Sequence, residues 1–201
     1  MKKLAFALLI LLILALGTYW GWSGEKGSSE KSSATLEEKG TNEKTISGPV
    51  IAITGLVERP YNITLSELRE MSSRKVHAVL YCVSAPNKPL KNGTWVGVPL
   101  KYLLQRAGIK KNAVKVALYA SDGYTTDLRV KDVLADGDII VAYEFNGKPI
   151  EPRLIVPGRW GYKWIKHLTK IELVDYDFKG RWESAGYPDD AYIENEANPW
   201  R

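Results

Sequence analysis

The stretch RLIVPGRWGYKWIKHLTK, residues 153–170, carries five basic side chains and no acidic one. The chain after it reverses this balance, since residues 172–201 hold eight acidic side chains against three basic ones. Because the formal net charge of the whole chain is only +5, this local cluster favours a site for one anionic group, and we expect no nucleic-acid partner. On charge alone, a solvated basic face is the other interpretation.

The residue types in this stretch suit a phosphate-like anion. Arg153 offers a planar fork of donors that matches phosphate geometry. Lys163 and Lys166 lie three positions apart, so both ammonium groups reach one anion if the segment turns helically. The two glycines within residues 157–161 let backbone N–H groups approach the same anion closely. The sequence therefore predicts an anion site that uses Arg153, Lys163 and Lys166.

The second feature is Cys82, the single cysteine of the 201 residues, which lies in AVLYCVSAPNKP, residues 78–89. A buried structural thiol and an intermolecular disulfide are two interpretations. A catalytic nucleophile needs a base, but His77 points to the opposite face of the same strand and no motif supports His167. The fourth interpretation is a single thiolate ligand to a metal held mainly by another group, because the chain lacks the Cys and His for a zinc site of its own.

The N-terminus predicts export. Two lysines precede the uncharged stretch 4–23, whose 20 residues are about the length that crosses a membrane as a helix. Aromatic residues at 19, 20 and 22 suit a membrane interface. We predict that residues 1–22 form a signal anchor, with a cleaved signal peptide as the alternative, and that the rest of the chain is extracytoplasmic.

Composition divides the remainder in two. Residues 23–47 are mostly Ser, Gly, Glu and Lys, which predicts a flexible linker because such a segment buries too little apolar surface to order itself. Residues 48–201 are rich in Val, Ile, Leu, Tyr and Trp and have the length of one domain.

Alternation and turn residues predict an α+β domain. The capping box formed by Thr64 and Glu67 opens a short helix, and Pro99 and Gly108 bracket a second one. Residues 84–93, with two prolines and an Asn-Gly, are predicted to be a loop. A single helical turn is predicted at 130–134. The predicted strands are 50–57, 75–83, 114–120, 124–130, 138–145, 153–156 and the end of 164–174.

Five motifs then follow in order: Cys82 at a strand end, TWVGVPL at 94–100, SDGY at 121–124, NGKP at 146–149, and PRLIVPGRWGYK at 152–163 with a lysine after it. This order resembles the molybdopterin-binding domain of the sulfite oxidase family. The resemblance covers roughly residues 48–187, and each motif is weak alone but specific in this sequence of five. It implies the mixed-sheet α+β fold of that family.

The resemblance also implies a cofactor and its contacts. The cofactor is molybdenum bound by the two dithiolene sulfurs of a molybdopterin, or its tungsten variant, and Cys82 matches the position of the protein's thiolate ligand to the metal. Arg153, Lys163 and Lys166 match the residues that bind the pterin phosphate. Tyr124 is expected near the metal as a catalytic residue. The remaining expected cofactor contacts are Asn87, Ser121 and Asp122.

The chain departs from the family pattern after the cysteine, where residues 83–87 read VSAPN, and it has no arginine directly before that motif. The substrate therefore stays open. We expect an oxidoreductase that transfers an oxygen atom to or from a small substrate such as sulfite or a sulfoxide, with an external electron carrier such as a cytochrome. The alternative is a non-catalytic extracytoplasmic binding module that retains the sulfite oxidase fold.

Overall fold

A computed structural model describes residues 48–193. The predicted N-terminal anchor and linker lie outside these residues. Within residues 48–193, none of the helices has the length and apolar character needed to cross a membrane.

The described residues form nine strands and three α-helices. In chain order the elements are β1 (Val50–Gly55), β2 (Tyr61–Thr64), α1 (Leu65–Glu70), β3 (Arg74–Cys82), β4 (Ala85–Pro99), α2 (Leu100–Ala107), β5 (Lys115–Ala120), β6 (Thr125–Arg129), α3 (Val130–Ala135), β7 (Ile140–Phe145), β8 (Lys148–Ile155) and β9 (Leu168–Val174). The mixed α+β class predicted from the sequence is confirmed.

The strands form two sheets. One has five strands in the order β2-β1-β9-β5-β6, and the other has four in the order β3-β4-β7-β8. Only the pairing of β1 with β9 is parallel, and all other named pairs are antiparallel. Strand β8 leads from the four-stranded sheet through residues 156–167 into β9 of the other sheet. The basic stretch 153–170 therefore begins at the end of β8, contains the whole connection between the two sheets and ends in β9.

Local sequence signals account for the helix ends. Glu67 N–H donates to Thr64 Oγ1 at 3.1 Å, and the Glu67 carboxylate accepts from Thr64 N–H at 2.9 Å, so the predicted capping box is present. Helix α2 begins after Pro99 and ends at Gly108, whose φ of 75° is in the region that favours glycine. Its buried residues are Leu100, Leu103, Leu104 and Ala107, which is the apolar stripe expected of an amphipathic helix.

The prediction of a loop over residues 84–93 is wrong. This segment is the first part of β4, which folds back on β3 as an antiparallel hairpin with Cys82 paired to Ala85. The register shifts on either side of Tyr81, which pairs with Pro89. A strand tolerates proline at such an irregularity because the missing N–H is not needed for the ladder there. The hairpin places the chain after Cys82 beside the end of β3.

Strand β8 is longer than predicted, because Asn146 and Gly147 close a tight hairpin between β7 and β8. Their φ angles of 50° and 77° suit the Asn-Gly turn that the sequence indicates. Asn146 also braces the sheet, since its Oδ1 accepts from Thr94 N–H at 2.8 Å. The core between the layers is apolar and includes fully buried Trp95 and Trp164, whose ring centroids lie 6.0 Å apart.

Candidate functional site

A cavity of about 640 Å³ opens where the end of β3, the inter-sheet connection and the end of the described chain meet. Its walls are mixed, with apolar and aromatic side chains around a few polar ones, as is usual for small-molecule sites. The residues around it include Cys82, Lys91, Asp122, Tyr124, Arg153, Lys166, Trp182 and Tyr187. Five of the sequence-predicted site residues thus lie around one cavity: Cys82, Asp122, Tyr124, Arg153 and Lys166.

Cys82 ends β3 and is half-buried, with its thiol at the cavity. The register shifts between Leu80 and Cys82 bend the strand at this point, as bulges do near functional sites. The sulfur lies 3.0 Å from Ser84 Oγ. His77 pairs with Thr94 further down β3 and does not line the cavity, so it does not lie where a base for Cys82 would have to be.

Arg153 is a largely buried cation without an acidic partner among the described residues. Its Nε is buried and has no hydrogen-bond partner, and its guanidinium lies 5.7 Å from the Trp95 ring centroid. Burial lowers the pKa of Arg153 from its ordinary value to about 10, because the charged form loses hydration. A buried cation without a counter-charge is the arrangement expected where a bound anion completes the site.

Lys166 stands beside Arg153, because the two residues pair across an isolated antiparallel bridge. A third cation, Lys91, reaches the cavity from β4, opposite Leu80 of β3. Asp122 is the only acidic side chain among the cavity residues, so the cavity has an excess of positive charge that attracts anions. Sequence reasoning missed Lys91 because it falls in the segment that was predicted to be a loop.

Tyr124 lines the cavity with its ring, while its hydroxyl donates to the Tyr162 carbonyl at 2.6 Å. Burial raises the pKa of Tyr124 above its ordinary value, and the nearby Glu183 carboxylate adds to this effect. The turn before Tyr124 is held by Asp122, whose Oδ1 accepts from Tyr124 N–H at 3.0 Å. The phenol is therefore protonated at neutral pH, and its proton is engaged by backbone.

Lys163, Asn87 and Ser121 are not brought to the cavity. Lys163 is fully buried, and its ammonium lies 2.6 Å from Glu183 and 3.2 Å from Asp127. The helical turn needed to align Lys163 with Lys166 does not form, because the segment makes only a 3-10 turn over Gly161–Lys163. Asn87 and Ser121 are exposed, and neither is among the cavity residues.

The sequence analysis does not predict two aromatic residues of the cavity, Trp182 and Tyr187. Their rings meet edge to face with centroids 4.9 Å apart, and Tyr187 packs against Tyr162 at 5.6 Å. They belong to the acidic, turn-rich chain after β9, where no periodicity marks a functional side chain. Only the path of the folded chain shows that they form a wall of the site.

Gly161 offers a test of how tightly the site is built. A Cβ added at this position would lie 2.7 Å from the Tyr81 carbonyl oxygen and 2.9 Å from Leu80 Cδ1. We expect Gly161→Ala to lower the free energy of unfolding by about 1–3 kcal/mol, because the end of β3 must shift. Denaturant titration measures this.

Gly137→Ala is the matched control for that variant. A Cβ at Gly137 meets only the far ends of the flexible Lys101 and Arg74 side chains, at 3.2 and 3.3 Å. The free energy of unfolding of the Gly137→Ala variant should differ from that of the wild type by less than about 0.5 kcal/mol. Equal effects of the two substitutions would contradict a tight contact at Gly161.

The fold and the cavity define a domain that presents in one pocket a thiol and three cations, Lys91, Arg153 and Lys166, that form no salt bridge within residues 48–193. The family model for the oxidoreductase molybdopterin binding domain matches residues 46–182. The chain therefore belongs to this family, the molybdopterin-binding domains of the sulfite oxidase type. The resemblance stated from the motifs is confirmed.

The chain is also similar to curated proteins and shares its fold with a solved structure. It is 27% identical over 157 residues to the uncharacterized oxidoreductase YuiH of Bacillus subtilis, which covers 75% of each chain. It is 31% identical over 156 residues to the NADH nitrate reductase of Solanum lycopersicum, which covers 60% of this chain and 17% of that protein. The sulfane dehydrogenase SoxCD from Paracoccus pantotrophus shares the fold, with a TM-score of 0.59 and 23% identity over 64% of this chain and 38% of that one.

Proposed function

We propose that this chain is a molybdopterin-dependent oxidoreductase domain that transfers an oxygen atom to or from a small substrate such as sulfite or a sulfoxide, with Cys82 as thiolate ligand to the molybdenum. The observation that carries the proposal is that the Cys82 thiol and the unpaired cation Arg153 open on the same cavity of about 640 Å³. A thiolate is a soft ligand suited to such a metal.

The residues present fit the cofactor that the family implies. Arg153 and Lys166, side by side at the cavity, would hold the pterin phosphate, and the buried Arg153 Nε has a free donor for it. When bound, the cofactor supplies the oxygen-atom transfer and the change in oxidation state. A tungsten form of the cofactor is compatible with the same donor set.

The chain's own residues have defined tasks in this proposal. Arg153 and Lys166 bind and orient the anionic end of the cofactor, and Cys82 fixes the metal end. The Tyr124 hydroxyl donates its proton in a hydrogen bond to the Tyr162 carbonyl. The ring that faces the site is therefore neutral, and the hydroxyl transfers no proton in this arrangement. Trp182 and Tyr187 narrow the cavity and exclude water from part of it.

Electron flow and location are further parts of the proposal. A small redox protein such as a cytochrome would exchange electrons with the domain, because oxygen-atom transfer changes the oxidation state of the metal, which must then be restored. The apolar stretch 4–16 and the two lysines before it support an anchor that holds the domain outside the cytoplasm. Membrane fractionation and N-terminal sequencing of the mature protein test this placement; a soluble cytoplasmic protein with an intact N-terminus would contradict it.

Elemental analysis tests the proposed function directly. We expect about one molybdenum or tungsten per chain in protein purified from a host that makes the cofactor, together with pterin fluorescence after denaturation. A matched sample from a cofactor-deficient strain should contain neither and should fold equally well by circular dichroism. Metal-free and pterin-free protein from the competent host would refute the proposal.

The second candidate is a binding module that keeps the fold without the chemistry. The observation that favours it is the placement of Asn87, the expected cofactor-contacting asparagine, on an exposed part of β4 away from the cavity. The unpaired cations would then bind a small anion in the absence of metal. Calorimetric titration of the metal-free protein with inorganic phosphate tests this candidate. It requires that phosphate binds, that Cys82→Ser binds phosphate with the same affinity, and that the wild-type protein shows no turnover.

A further inference from the structure

The chain after β9 forms one wall of the cavity. We call residues 176–193 the tail segment. It is attached to the rest of the domain by backbone contacts, since Arg181 N–H donates to Thr125 O at 3.0 Å and Trp160 N–H donates to Ala191 O at 2.9 Å. Between these attachments lie Trp182 and Tyr187, which face the cavity. The shape of the cavity therefore depends on where the tail segment lies.

A buried ion pair ties the middle of this segment to the inter-sheet connection. Lys163 Nζ lies 2.6 Å from Glu183 Oε1, and both side chains have 0% exposure. On its other side, Lys163 donates to the backbone carbonyl of Asp127 at 3.0 Å and lies 3.2 Å from its carboxylate. Glu183 Oε1 also accepts from Thr126 Oγ1 at 2.8 Å. One ammonium thus joins β6 to the residue next to Trp182.

Among the described residues, Lys163 is the ammonium partner of the Glu183 carboxylate, and the other donor to that carboxylate is the neutral Thr126 hydroxyl. The second buried lysine, Lys115, contacts Asp127 and Asp189 instead, and the partly exposed Lys179 also contacts Asp189. One Glu183 oxygen, Oε2, is already buried without a hydrogen-bond partner. Loss of Lys163 would leave the Glu183 carboxylate buried and uncompensated, which is a strongly unfavourable state.

From these contacts we infer that Lys163 is a positioning residue. It acts through Glu183 to hold Trp182 and Tyr187 in the cavity wall, and it does not bind the pterin phosphate as a point charge. Its ammonium is fully enclosed by carboxylates and backbone, whereas Arg153 and Lys166 are the cations of this stretch that reach the cavity. This inference concerns the same site and rests on the proposed function for its catalytic consequence.

In metal-free protein, the rate at which Cys82 reacts with a thiol reagent measures how accessible the cavity is past the wall formed by Trp182 and Tyr187. We expect Lys163→Met to speed the reaction of Cys82 with a bulky maleimide, measured by intact mass, on the order of tenfold, because the tail segment opens locally. Glu183→Ala breaks the same tie and should give a similar increase, so it provides the test if Lys163→Met does not fold. Lys110→Met, an exposed lysine away from the cavity, is the control and should match the wild type. Unchanged labelling in both wall variants would overturn the inference.

A double variant separates positioning from direct phosphate binding. Lys163→Met with Glu183→Gln removes one charge of each sign, so the network keeps its net charge. No buried carboxylate is then left at position 183, and Asp127 keeps Lys115 as its ionic partner. We expect the double variant to recover slow Cys82 labelling and, in cofactor-loaded protein, the molybdenum content and KM that Lys163→Met loses. A direct phosphate ligand could not be rescued in this way, so persistent loss of cofactor in the double variant would overturn the inference. Absence of molybdenum from the wild type would instead refute the proposed function and leave the labelling result standing.

Discussion

Cys82→Ser should lower turnover with sulfite or a sulfoxide by at least about 10²–10³-fold, the scale of loss when a group that acts directly on the reaction is removed. The serine hydroxyl has nearly the same shape but is a poor soft-metal ligand at neutral pH. Because Cys82 is half-buried at the edge of a cavity and is not packed in the core, the free energy of unfolding should change by only about 0.5 kcal/mol. Activity, molybdenum content and denaturant titration on the same preparation measure these effects together.

Ser84→Ala is the matched control for this prediction. Ser84 Oγ is the nearest polar partner of the sulfur, at 3.0 Å, and lines the same cavity, so its removal perturbs the surroundings and keeps the thiol. We expect Ser84→Ala to retain the metal and most of the turnover. Full activity in Cys82→Ser would show that the sulfur is not a ligand, and loss of folding would assign Cys82 to structure.

Arg153→Met should stabilise the cofactor-free domain and weaken cofactor binding. Arg153 is a desolvated cation whose Nε has no partner, and its lowered pKa of about 10 reflects the cost of keeping it charged in the fold. Replacing the charge with an apolar chain of similar length should raise the free energy of unfolding by about 1–3 kcal/mol at pH 7. Cofactor retention should fall on the order of 10–100-fold, as expected for one or two lost charge-assisted hydrogen bonds.

The pH dependence of stability gives an independent check with a defined sign. Above about pH 10, and until the unfolded chain also loses this proton, the folded protein binds fewer protons at Arg153 than the unfolded chain does. This group therefore makes the free energy of unfolding rise with pH in that window. The difference in free energy of unfolding between Arg153→Met and the wild type is therefore largest below pH 10 and becomes smaller above it. Chemical denaturation of both proteins at neutral pH and near pH 10.5 measures the difference.

The Lys166→Met variant distinguishes the effect of a lost cation on cofactor binding from its effect on the stability of the cofactor-free domain. Lys166 lines the same cavity but is exposed, so its removal should reduce cofactor retention without a stability gain beyond about 0.5 kcal/mol. If Arg153→Met destabilised the cofactor-free domain, Arg153 would be a structural residue with compensated charge, and the anion site would lose its main support.

Much of the fold follows from local sequence. The capping box at Thr64 and the Asn-Gly turn at Asn146 lie where the sequence predicts them, and each predicted strand overlaps an observed one, because these features depend on residues within a few positions of one another. Strands β2 and β4 are absent from the prediction, and the first half of β4 is predicted to be a loop because its prolines are tolerated only through an irregular pairing with β3. That pairing is not visible in the local pattern.

The candidate site divides in the same way. Residue type and motif order were enough to predict the family and to single out Cys82, Arg153 and Lys166 as candidate site residues. The inward turn of Lys163 to Glu183 and the presence of Lys91, Trp182 and Tyr187 in the cavity wall are visible only in the folded chain. The physical reason is that the direction of a charged or aromatic side chain depends on partners distant in the chain: an ammonium is buried only where carboxylates from other elements meet it.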